Sequence, residues 1–233
     1  MSGQEAFARA GADRDDPALA LAEAERELAH RDALLHELIH RMRNTMQMVG
    51  SLIALQAAAI DDPPARQSFD DTAGRIRAIA LALEHTARPG DLGAVDLGGY
   101  LRALLHAASG LDGRRNVAVS FQAEPAELAM ARAVPLGIAI NEILSNAFRH
   151  AFPPGRRGNL RLVARAQADG AIAVTIADDG VGLPPQIDPL RAATLGLRLV
   201  HRLARQADAS LAVERTGGTV FRLVLAPEPR RGA

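Results

Sequence analysis

The chain contains no cysteine, no tryptophan and a single tyrosine in 233 residues. Without a thiol it can build no disulfide framework, no cysteine nucleophile and no Cys-based zinc centre, which is compatible with a reducing compartment. Aromatic residues make up 3% of the sequence, too few for a surface that stacks single-stranded bases. Net charge is also lacking: 27 Lys and Arg balance 27 Asp and Glu. No global field therefore draws nucleic acid or an anionic membrane, and a charged ligand has to be held locally. No apolar run is long enough to cross a bilayer, and the opening MSGQEAFARAGADRDD lacks the basic-then-apolar order of a secretory signal. The expectation is a soluble cytoplasmic chain, with neither nucleic-acid binding nor membrane insertion.

What is present is 48% apolar residues, enough for a sizeable core, arranged in textures that change along the chain. Residues 1–16 are rich in Gly, Asp and Ala without periodicity and read as a disordered leader. From Pro17 a heptad register places Leu28, Leu35, Met42 and Val49 at a, Leu38 and Leu52 at d, and Ile39, Met46, Ile53 and Ile60 at e. That stripe is broad, as in a bundle helix. The run DDPP at 61–64 stops the helix, because proline lacks an amide and restricts the residue before it. A second helix over about 65–85 carries Ile76, Ile79, Ala80 and Leu83 on one face. Residues 17–87 thus predict a helical hairpin of the kind that dimerises into a four-helix bundle.

RPGDLGAVD, residues 88–96, reads as a linker. Beyond it, residues 97–228 alternate: helix about 97–109, strand 117–122, helix 134–152, strands 160–167 and 171–177, helix 195–207, strands 210–214 and 219–225. Period-two apolar residues such as Leu160, Leu162 and Ala164 support the strands. The fold class is α+β, a helical hairpin followed by an α/β sandwich with helices on one face of a mixed sheet.

Several segments carry chemistry. In IHRMRNTMQ, residues 39–47, His40 falls at heptad position f and points away from the apolar stripe, with Arg41 and Arg43 flanking it and Asn44 one turn on along the same face. An outward imidazole can act as a nucleophile, and a neighbouring guanidinium can offset phosphoryl charge. Taken alone, the segment reads more simply as a solvated helix face. NEILSNAFRHAF, residues 141–152, puts Glu142 and Asn146 one turn apart with His150 a further turn along. An amide oxygen suits Mg2+ that also holds waters and phosphate oxygens, and a nearby carboxylate can serve as general base.

ADDGVGLPP, residues 177–185, follows a strand. A carboxylate there can accept from an exocyclic amino group, and Gly180 and Gly182 let a ligand approach the backbone, although DDG is also a routine turn. TLGLRLVHRLARQ, residues 194–206, sets a glycine at the start of an apolar helix, where backbone amides and the helix dipole favour phosphate. It carries neither the Walker lysine pattern nor the dinucleotide fingerprint. GGTVFRLVL, residues 217–225, is a turn and a strand.

The order of these segments after a histidine-bearing hairpin resembles a sensor histidine kinase, of the HisKA_2 and HWE-like subfamily whose phosphoacceptor box begins HR. IHRMRNTMQMVGSLIALQ is similar to its H-box, NEILSNAFRHAF to its N-box, DDGVG to its G1 box and TLGLRLV to its G2 box. The resemblance covers about residues 30–226. It implies a GHKL-type ATPase domain, ATP and Mg2+ as cofactors, and phosphorylation of His40 followed by transfer to an aspartate of a response regulator receiver domain. By the same resemblance Asn146 is the Mg2+-binding asparagine, Glu142 the catalytic base and Asp178 the adenine-reading aspartate. Gly180, Gly182 and Gly196 match the glycines of the ATP lid, Thr219 the threonine of the adenine pocket, and Arg149 and His150 the polar pair near the phosphates. Asn44 matches an H-box asparagine that assists transfer or dephosphorylation.

The sequence departs from the pattern at Thr45, where a second asparagine is common, at Thr194, where many relatives have glycine, and in the thirteen residues between Gly182 and Gly196, a short lid. About thirty residues precede the H-box, too few for a sensory domain, so a homodimer served by a separate sensor protein is expected. Two other readings stay open: a histidine phosphotransferase with a degenerate ATP-like domain, and a non-catalytic GHKL-fold binding module.

Overall fold

The computed structural model describes residues 17–88, 91–110, 116–184, 195–215 and 217–228. The chain divides into two compact units, Met1–Arg41 and Met42–Ala233. Helix α1 (Pro17–Ala58) begins in the first and ends in the second. It opens on a proline, tolerated because a first-turn amide has no intrahelical acceptor. In the first unit Leu28, Leu35 and Leu38 are exposed, as are Met42, Val49 and Leu52 in the second, so these a and d positions are exposed in each unit.

DDPP both stops α1 and starts α2 (Pro63–Glu84). The Asp62 side chain caps the new helix, accepting from the Ala65 amide at 2.9 Å, and the two prolines occupy the first turn, where no amide is needed. The two helices meet where α1 has no side chain: a Cβ built on Gly50 would lie 3.6 Å from Ile76 of α2.

The described part of residues 88–96, expected to be a linker, is stranded instead. β1 (Thr86–Arg88) and β2 (Asp91–Asp96) pair antiparallel, and β2 pairs in turn with β4 (Glu127–Ala129). The cause is long-range: Val95 opposes Leu128 across the ladder and both are fully buried. A glycine- and aspartate-rich stretch hides that partner from a local reading. At the end of β2 the Asp96 carboxylate accepts from the Gly98 and Gly99 amides at 3.1 and 3.2 Å, capping α3 (Leu97–Gly110).

A five-stranded sheet follows the order β3, β5, β6, β8, β7, built from β3 (Val117–Ala123), β5 (Gly158–Ala166), β6 (Ile172–Asp178), β7 (Ala209–Glu214) and β8 (Thr219–Leu225). β3 and β5 are parallel and the other pairs antiparallel. In β5, Leu160, Leu162 and Ala164 are buried while Asn159, Arg161 and Arg165 are exposed; that alternation gives the sheet one covered and one open face. α4 (Met130–Asn146), continued by a π turn over Ala147–Ala151, and α5 (Leu195–Gln206) complete the covering layer with α3. α4 starts four residues before the predicted 134, with Pro135 inside it.

The core joins Leu101, Leu104, Leu136, Ile140, Leu160, Leu162 and Leu223 with Ala78 and Ala82 of α2. The second hairpin helix is therefore also a core element of the sandwich. Its alanines allow a close approach, and the Tyr100 hydroxyl donates to the Ala78 carbonyl at 2.9 Å. Burial pushes the Tyr100 phenol well above its usual pKa. A Cβ on Gly137 of α4 would run into that phenol ring, so the glycine is what admits the tyrosine. Tyr100→Phe is expected to lower unfolding stability by about 1 kcal/mol, and Gly137→Ala by roughly 1–3 kcal/mol through overpacking; urea denaturation followed by far-UV circular dichroism measures both.

Candidate active site

The residues expected to bind nucleotide gather in two groups within the second unit. The first forms at the paired ends of two strands, where Asp178 of β6 stands opposite Thr219 of β8. The Asp178 carboxylate accepts from the Gly180 amide at 3.0 Å and from the backbone and hydroxyl of Thr219. Burial raises the Asp178 pKa above its ordinary value, partly offset by these hydrogen bonds. Thr219 is itself buried at 4% exposure, so its hydroxyl is spent on orienting Asp178. The neighbouring Asp179 behaves differently. Hydrogen bonds from the Asn159 backbone amide and side chain, at 2.7 and 2.6 Å, hold its carboxyl below the usual range. Of two adjacent aspartates, one is thus tied to the start of β5 and the other is turned inward and desolvated.

The second group stands on α4. Glu142 is buried at 4% exposure and Asn146 is half-buried one turn on. A Cβ on Gly196, the second residue of α5, would lie 3.5 Å from Glu142 Oε2 and 3.6 Å from Asn146 Nδ2. The start of α5, where amides await an anion, therefore faces the carboxylate and amide of α4. Glu142 Oε1 turns the other way and accepts from Arg75 Nε of α2 at 2.9 Å.

The two groups are linked through the π turn. The Ala151 carbonyl, at the end of that turn, accepts from the Val181 amide at 2.9 Å, and a Cβ on Gly180 would collide with the same carbonyl. Gly182, with φ +74°, turns the loop in the left-handed region that favours glycine. Arg156 donates to the Asp179 and Gly180 carbonyls at 2.7 and 3.2 Å, fixing the loop from outside. A cleft lined by Arg156, Gly180, Val181, Gly182, Leu183, Arg215 and the Gly217–Gly218 turn opens beside it.

Not every expected residue joins these groups. Arg149 pairs instead with Asp71 of α2 at 2.6 Å and donates to the Ser145 carbonyl at 3.2 Å; His150 is exposed. His40 is exposed on α1 in the first unit, next to Arg41, whose Nε donates to Glu37 at 2.7 Å. Asn44 is also exposed and belongs to the second unit. Thr194 and most of the short lid lie outside the described residues. Sequence reasoning missed Asp71 and Arg75. The available signal was a pair of opposite charges one turn apart on α2, beside the small residues Ala73, Gly74 and Ala78.

Comparison with known proteins agrees with this architecture. Residues 37–111 match the family model HisKA_2, described as histidine kinase, and residues 131–229 match the histidine kinase-, DNA gyrase B- and HSP90-like ATPase model. The chain is 30% identical over 197 residues to blue-light-activated histidine kinase 2 of Erythrobacter litoralis, covering 82% of this chain and 56% of that protein. It is 26% identical over 215 residues to the sensor histidine kinase PdtaS of Mycobacterium tuberculosis, covering 89% and 42%. It spans about half the length of these curated relatives. Among solved structures, the histidine kinase domain of a blue-light activated histidine kinase from Erythrobacter litoralis superposes with a TM-score of 0.62 at 26% identity, covering 84% of this chain and 94% of that one. The chain belongs to the histidine kinases of the HisKA_2 type, with a GHKL ATPase fold in its second half. Among the described residues no helix is long and apolar enough to cross a membrane.

Gly180→Ala is expected to cost roughly 1–3 kcal/mol of stability, because its Cβ must displace the Ala151 carbonyl. Hydrogen exchange at the Val181 amide, which that carbonyl protects, should accelerate in the same variant.

Proposed function

We propose that the chain is an ATP-dependent protein-histidine kinase that phosphorylates its own His40 and passes the phosphoryl group to an aspartate of a response regulator receiver domain. The observation that carries this reading is the arrangement of the two groups: a desolvated acceptor, Asp178, at one end, and Glu142, Asn146 and the start of α5 at the other, joined through Ala151. An adenine amino group suits the first, and a triphosphate suits the second.

In this reading Asp178 accepts from the exocyclic amine and Thr219 keeps its carboxylate in place. The amides at the start of α5 take phosphate oxygens. The donor set suits Mg2+: Asn146 would hold the ion through its neutral hard amide oxygen, and water and phosphate oxygens would supply the remaining ligands. When bound, the ion spreads the charge of the transferred group. A ring nitrogen of His40 forms the N–P bond as the bond from the γ-phosphorus to its bridging oxygen breaks. ADP departs with the electron pair, and the imidazole proton goes to Glu142. A receiver-domain carboxylate then takes the phosphoryl group from His40.

The exposed a and d residues of α1, Leu28, Leu35, Leu38, Met42, Val49 and Leu52, suit a second copy of the chain in a four-helix bundle. A cytoplasmic homodimer fits this reading.

Two outcomes test it. Incubated with γ-labelled ATP and Mg2+, the chain should gain an acid-labile, base-stable label that His40→Gln and Asn146→Ala abolish. Label retained in His40→Gln would reassign the acceptor, and a chain that binds ATP without labelling would be a GHKL-type binding module. Adenine-nucleotide affinity should fall on acidification while the pH is still above the ordinary aspartate value of 3.8, because Asp178 protonates early. For the same reason its contribution to folding is fully present below 3.8 and lost as the pH rises through the raised value. In Asp178→Asn, nucleotide displacement titration should show about tenfold or weaker binding and no acid limb.

A further inference from the structure

Glu142 is the most buried acidic side chain in the site, 5% exposed. A carboxylate so placed needs a partner for its charge, and the guanidinium that supplies one comes from the hairpin rather than from the ATPase fold: Arg75 Nε lies 2.9 Å from Oε1. A buried pair of this kind is weak evidence for stability, since an apolar pair of the same shape packs equally well. Its geometry is informative for another reason. With Oε1 held on the α2 side, Oε2 is left on the Gly196 side, next to Asn146. The guanidinium thus decides which oxygen faces the nucleotide pocket.

The helix backbone around Arg75 is closely packed. One turn further along α2, Ala78 is 1% exposed and carries the Tyr100 hydrogen bond. On the other side of Arg75, Gly74 lets the helices approach until a Cβ there would touch Asn141 Nδ2 at 3.0 Å. A second ion pair in the same interface, Asp71 with Arg149, lies one turn back along α2.

We propose that Arg75 is a positioning residue for Glu142, so that the second hairpin helix supplies part of the phosphotransfer machinery. The guanidinium holds the carboxylate with Oε2 directed at the pocket, where it receives the proton leaving the imidazole. The inference rests on the kinase reading above.

The test is kinetic, made on the full chain with MgATP. Arg75→Gln should slow autophosphorylation about tenfold or more while ATP affinity changes by less than about twofold. Arg75→Lys, which restores the charge without the planar fork, should recover part of the rate and remain a few-fold below wild type. Arg75→Gln combined with Glu142→Gln should be no slower than Glu142→Gln alone, as expected of two groups acting as a unit. Melting temperatures identify a variant that fails to fold. If Arg75→Gln does so, Arg75→Lys decides: a rate reduced a few-fold at unchanged ATP affinity supports positioning, and a wild-type rate overturns it. Equal loss of ATP affinity and rate, or effects that multiply in the double variant, would make Arg75 a purely structural residue. A wild-type chain that takes no label sinks the kinase reading and this inference with it, whereas a labelled wild type matched by Arg75→Gln sinks the inference alone.

Discussion

The close approach of α2 to α4 governs most of what the second unit can do. It is made possible by what the contact lacks: Ala73, Gly74, Ala78 and Ala82 on one helix and Gly137 on the other present almost no side-chain bulk. Into the space so freed goes Tyr100, the chain's one tyrosine, whose hydroxyl binds the Ala78 carbonyl. Small residues bring the backbones together, and nearness puts Asp71 and Arg75 within ion-pair reach of Arg149 and Glu142. Without that packing the carboxylate of Glu142 would be a buried charge with no cation beside it.

The Asp178 end of the site depends on a different device, a change of helical pitch. α4 loosens into a π turn at Ala147–Ala151, a distortion that recurs at functional sites. Its last carbonyl then serves the glycine loop instead of the helix. The pairing of Asp178 with Thr219 across β6 and β8 orients the inward carboxylate from the other side. Glu142, Asn146, Asp178 and Thr219 are therefore anchored in regular elements, while Arg156 and the glycines belong to loops.

Much of this was legible in the sequence because it rests on local physics. DDPP marks a helix end and a capped helix start, period-two leucines mark β5, and the histidine-bearing and glycine-bearing segments fall in the order of a histidine kinase, a family that the comparisons then show. Glu142, Asn146 and Gly196 do converge, and so do Asp178, Gly180 and Thr219. What escaped is non-local. Residues 91–96 look like a linker until Leu128 is seen opposite Val95. Arg149 was expected near phosphate, but Asp71 takes it. Arg75 looks like one more surface arginine on an amphipathic helix until α4 is placed against it.

The sharing of α2 also bears on how this chain divides. A cut between the hairpin and the sandwich near residue 90 separates β1 from β2. It strips Ala78 and Ala82 from the core and leaves Tyr100 with no carbonyl to bind. The smallest piece that keeps its own interior intact begins upstream of α2. By packing, α2 belongs with the ATPase fold, and the compact unit that holds both begins within the hairpin, at Met42.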